Sequence, residues 1–104
     1  MTDGVENLSN LPFERRALGA ALRYPGAAIT LVASLARDDF FAMDHQVIFE
    51  QVRSRVVNDQ PVDVALISDD LRRLPPGSAS ANVSNLPYVL WDEVGSEAAL
   101  KDYI

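Results

Sequence analysis

The sequence predicts an all-α fold, a compact bundle of about six short helices. Three observations predict it. Apolar residues recur at three- and four-residue spacing over most of the chain, no stretch sustains the alternation of a strand, and Pro or Gly separates the periodic segments. With 104 residues, 48% hydrophobic and 23% charged, the chain has the length of one domain and the composition of a folded one.

Met1 to Asn10 is polar and is expected to be a flexible segment, with the helical domain spanning residues 11–104. Asn10 can cap the first helix, with Pro12 in its first turn, where a missing N–H costs least. Leu18, Ala21 and Leu22 form its apolar stripe, and Tyr24 before Pro25 marks its end. A second helix is expected from Ala27 to Ala36, with Ala28, Leu31, Val32 and Leu35 on one face. Asp38-Asp39-Phe40-Phe41 interrupts it and places two aromatics in a turn.

Asp44 is the expected N-cap of a third helix reaching Val57, whose inner face is Ile48, Phe49, Val52 and Val56. Asn58-Asp59-Gln60-Pro61 makes a turn. Asp63 can cap a fourth helix in which Val64, Ile67, Leu71 and Leu74 keep helical spacing, the cleanest amphipathic pattern in the chain. Pro75-Pro76-Gly77-Ser78 ends it. Leu86 to Val94 is a short fifth helix carrying Tyr88 and Trp91. Gly95 closes it, and Ser96 can cap a sixth with Leu100, Tyr103 and Ile104 on one side. The terminal apolar pair gives the chain the look of an excised domain.

The chemistry that the residues exclude is broad. Net charge is −6 and the cations are eight arginines and Lys101, so phosphate backbones are repelled and direct DNA binding is not expected. The arginines at 15–16, 53, 55 and 72–73 lie in separate segments with carboxylates nearby. No Gly-rich loop precedes a Lys-Ser or Lys-Thr pair, which argues against nucleotide hydrolysis in these residues. One histidine and no cysteine leave only carboxylates for a metal. Asp69 and Asp70 diverge by about 100° on a helix and suit a solvated face better than a shared ion. His45 is expected to fix the turn below Phe40 and Phe41, because no nucleophile motif accompanies it. Met1 to Asn10 has no basic region followed by an apolar stretch, so it is not expected to be a signal peptide. The run from Gly26 to Ala36 is too short to span a bilayer, so a cytoplasmic protein is expected.

The order of Leu11-Pro12, Ala17-Leu18-Gly19-Ala20-Ala21-Leu22, Pro25, Leu35, Asp39-Phe40-Phe41, His45, Ile48-Phe49, Pro61-Val62-Asp63 and Leu71 resembles the N-terminal domain of the DnaB family of bacterial replicative helicases. Leu86-Pro87-Tyr88-Val89-Leu90 and Ala98-Ala99 with Tyr103-Ile104 extend the resemblance. On this reading Leu18, Gly19, Phe40, His45, Ile48, Phe49, Asp63 and Leu71 determine the fold. Gly19, costing about 1 kcal/mol against Ala inside a helix, suggests close helix approach.

The resemblance implies a non-catalytic collar domain that self-associates, as a dimer or within a hexamer of the longer protein. It also implies docking of the primase C-terminal domain, with a helicase loader as a further partner. ATP and Mg would belong to a separate C-terminal motor, leaving no cofactor and no enzyme activity here. The chain departs from the family pattern at Glu14-Arg15-Arg16, at Ser84-Asn85-Leu86-Pro87 and in the Pro75-Pro76 loop. These departures motivate a second reading, a stand-alone phage or plasmid adaptor or inhibitor of the replisome. A third, a small metal-dependent enzyme using its Asp pairs, rests only on abundant carboxylates. The candidate partner-binding residues are Tyr88 and Trp91, with Asp69, Arg72 and Arg73 on the outward face of the fourth helix.

Overall fold

The computed structural model describes residues 11–79 and 82–93, which contain five α-helices and two short 3₁₀ turns and no strand. The helices are α1 (Leu11–Arg23), α2 (Pro25–Ser34), α3 (Met43–Val57), α4 (Val64–Arg72) and α5 (Leu86–Glu93). The 3₁₀ turns, Arg37–Asp39 and Val83–Asn85, precede α3 and α5. The expected flexible segment and sixth helix, with the Asn10, Gly95 and Ser96 signals, lie outside the described residues.

Helix α1 is the hub, packing against α2, α3 and α5, while α4 packs against α3 and α5. Its residues 17–22 are all buried, although the sequence suggested a single stripe. The reason is residue size: Ala17, Gly19, Ala20 and Ala21 project little, so neighbours can close on several sides, and Leu18 and Leu22 fill what remains. Phe40, Ile48, Phe49, Ile67, Leu71 and Leu90 complete the core, with the Phe40 and Phe49 rings 5.0 Å apart and tilted by 35°.

Several boundaries differ from expectation. Helix α2 starts at Pro25, at the first helical position where its missing N–H is harmless, and stops at Ser34. Helix α4 ends at Arg72, short of Leu74. Asp44 lies inside α3, whose N-cap is Ala42 without a side-chain bond. Asp63 caps α4, its Oδ2 accepting from the Ala65 N–H at 3.0 Å. Helix α3 closes with the Gln60 N–H on the Arg55 carbonyl at 2.7 Å and the Asp59 N–H on Val56 at 3.1 Å. Asp59 supplies the left-handed residue of this Schellman-type ending, at φ 56°.

Candidate partner-binding surface

The surface is built on α5 and on the outer side of α4, and both helices are tied to the rest of the fold by arginines. Arg15 on α1 donates twice to Glu93 at the end of α5, at 3.0 and 2.6 Å. This bidentate pair holds the Glu93 carboxyl below its ordinary range, chiefly through the hydrogen bonds from Arg15, and raises the Arg15 guanidinium above its own. At the other end of α1, Arg23 lies 4.4 Å from the centre of the Trp91 ring and donates to the Trp91 carbonyl at 3.5 Å. Trp91 is partly buried against the core. Its role as a free anchor is therefore reduced: one ring face is occupied by Arg23. Tyr88 and Val89, at 45% and 46% exposure, carry the accessible apolar surface of α5 instead.

On α4 the two neighbouring carboxylates have separate tasks, as their divergence requires. Asp70 accepts two bonds from Arg55 on α3, at 2.7 and 2.9 Å, and Arg55 also donates to the Pro61 carbonyl at 3.2 Å. This partly buried clamp joins α3, the following loop and α4, and its bonds raise the Arg55 guanidinium above its ordinary value. Asp69 forms an exposed pair with Arg73 at 2.6 Å. Arg72 is exposed and lines a cleft of about 280 Å³ with Leu71, Leu74, Pro75, Pro76, Ala79, Val83 and Ser84. Helices α4 and α5 pack together, and α4 is pinned to the turn before α5 by the buried Ser68 hydroxyl, which donates to the Ser84 carbonyl at 2.6 Å. The candidate residues thus stand on adjoining helices held in fixed relation.

The least expected polar group is Glu14. It is buried, and its carboxylate accepts from the Phe41 N–H at 2.7 Å and the Ala42 N–H at 3.4 Å. The same carboxylate lies 2.8 Å from His45 Nδ1, and His45 is also buried. A side chain on α1 therefore holds the backbone that leads into α3, just before the helix begins. Gln46 adds a bond to the Phe40 carbonyl at 2.8 Å. The corner turns Phe40 inward and leaves Phe41 and Met43 exposed. The sequence held one signal for this: Glu14 lies four residues before Leu18 and seven before Ala21, on the apolar stripe, where a carboxylate must find donors.

Among the described residues no group of three His, Cys, Asp or Glu side chains could hold a metal ion, and no helix is long and apolar enough to cross a membrane. What remains is a helical hub with arginine-fastened outer helices. Residues 6–104 match the family described as DnaB-like helicase N terminal domain. The chain belongs to that family. No curated protein and no solved structure gives a significant match. The resemblance read from the order of the sequence segments is the same family. Membership accounts for the all-helical fold and makes these residues a helicase N-terminal domain of the DnaB-like kind. The residues that DnaB-like N-terminal domains share with this chain by pattern sit mainly inside: Leu18, Gly19, Phe40, His45, Ile48, Phe49 and Leu71 are buried, while Asp63 caps α4. Phe41, Tyr88 and Val89, also in the pattern, stand on the surface.

Proposed function

We propose that this domain is the protein-binding collar of a replicative helicase, self-associating through its helices and docking the C-terminal domain of a primase on α5. ATP and Mg would act on a separate motor region, and a helicase loader would be a further partner. The observation that carries this reading is the exposed Tyr88–Val89 surface on a short helix whose far end is fastened to α1. Aromatic side chains on rigid supports lose little conformational freedom on binding and dominate interface energies. Calorimetric titration with the C-terminal domain of the cognate primase tests it. Tyr88→Ala should weaken binding by about tenfold or more, as loss of an interface anchor does. Because Tyr88 is exposed, thermal stability should move by less than about 0.5 kcal/mol. No heat with the unmodified chain, together with a strict monomer by light scattering at high concentration, would remove the reading.

A further inference from the structure

The arginines of this chain sort into two groups. Arg15, Arg53, Arg55 and Arg73 are ion-paired with Glu93, Glu50, Asp70 and Asp69, and Arg23 stacks on Trp91. Arg16 is engaged as well. Among the described residues, the guanidinium groups of Arg37 and Arg72 have no acidic partner. Both are exposed, on different elements, the first 3₁₀ turn and the last turn of α4.

Each of these two cations lines a cleft, and the two clefts share a wall. Arg72 borders the 280 Å³ cleft described above. Arg37 borders one of about 290 Å³ with Val47, Glu50, Gln51, Leu74 and Ser78. Leu74 lines both, so an apolar side chain separates two hollows, each with an arginine at its edge. Glu50, the carboxylate in the second cleft, is directed to Arg53 at 3.6 Å. Pro75 and Pro76 stiffen the first cleft, since proline has a fixed φ.

We propose that this double cleft is a docking groove for an acidic, leucine-rich peptide of a partner protein, its apolar side chains seated on either side of Leu74 and its carboxylates held by Arg37 and Arg72. Charge selects the occupant. In a chain of net charge −6, two guanidinium groups without an acidic partner among the described residues, beside hollows that share the apolar wall of Leu74, make a local place where a carboxylate-bearing ligand gains attraction. Size selects a peptide. Each hollow falls just below the roughly 300–1,000 Å³ of small-molecule pockets, whereas a peptide can place one side chain in each. Tyr88 lines neither cleft, and the groove does not depend on the replisome reading.

The test is fluorescence anisotropy of the full chain with a fluorescein-labelled peptide alternating leucine and glutamate. Versions with glutamine or lysine in place of glutamate serve as comparisons. The glutamate peptide should bind at least about tenfold more tightly than either. Arg37→Glu with Arg72→Glu should abolish that binding and confer binding of the lysine peptide. The milder pair Arg37→Gln and Arg72→Gln should weaken the glutamate peptide alone, and it keeps the test readable if charge reversal disturbs folding. Absence of binding by the unmodified chain, equal affinity for the glutamine peptide, or affinity untouched by the arginine variants would overturn the proposal. So would self-association of the chain that the arginine pair is needed for, because a second copy would then fill the groove. A primase titration that fails while the peptide binds would remove the collar reading and leave the groove standing.

Discussion

At the scale of single residues, Glu14 and Glu93 show one chemical group used in two ways. Glu14 is buried and serves three donors from the far side of a helix–helix contact. Glu14→Ala leaves the Phe41 N–H and the His45 ring without their acceptor, and a cost of about 3 kcal/mol is expected for stranding buried donors. Urea denaturation read by circular dichroism would measure it. Glu93 is largely exposed, so its pair with Arg15 is screened, but it responds to pH in a defined direction. The folded chain binds this proton less tightly than the unfolded chain, because the hydrogen bonds from Arg15 favour the carboxylate. The pair's contribution is therefore complete above the ordinary carboxyl value of 4.5 and is lost as pH falls below it. Glu93→Gln should flatten the acid limb of the stability profile. Urea midpoints from about pH 6 to about pH 3 check this, and an unchanged slope would contradict the role assigned to the pair.

At the scale of elements, what was readable depended on how local the cause was. Asp63 was legible as a cap because its partner, the Ala65 N–H, is two residues away. The same logic failed at Asp44: α3 begins at Met43 with Ala42 as its N-cap, and the two amides just before it are held by Glu14, through a contact spanning 27 residues that leaves no mark in a local window. The stripe of α4 was visible through Ile67 and Leu71. The buried Ser68 beside them was not, because its acceptor belongs to the turn before α5. Asp59 offers a test of a helix ending. It holds φ 56°, which costs a residue with a Cβ more than glycine. Asp59→Gly should raise stability by about 0.5 kcal/mol if the left-handed ending persists in solution, and a shift of the thermal midpoint reports it.

At the scale of the whole molecule, the family and fold class were legible because they rest on the order of many weak signals, each fixed by core packing. The central place of α1 was not. The run from Ala17 to Leu22 reads as one apolar face, and only the assembled bundle shows small residues admitting neighbours on several sides. The outer surface was legible least. Of the two aromatics named as candidates on the fifth helix, Tyr88 stands exposed and Trp91 is partly covered by Arg23. Arg37 was passed over altogether, because an arginine's lack of a partner is a property of the assembled surface and not of its neighbours in sequence.

The corner fastened by Glu14 also sets when its backbone protons can meet solvent. Amide groups in the turn before a helix ordinarily exchange with deuterium fast, since no helical turn supplies their acceptor. Here the Phe41 amide, two residues before α3, donates to a buried carboxylate carried by another helix. Releasing it requires α1 to leave the corner, and α1 is the hub on which α2, α3 and α5 pack. The Phe41 amide should therefore exchange at the rate of global opening, as slowly as the core amides of α3, and not at that of a fraying terminus. Deuterium exchange followed by NMR would show whether this corner comes undone alone or only when the whole domain unfolds.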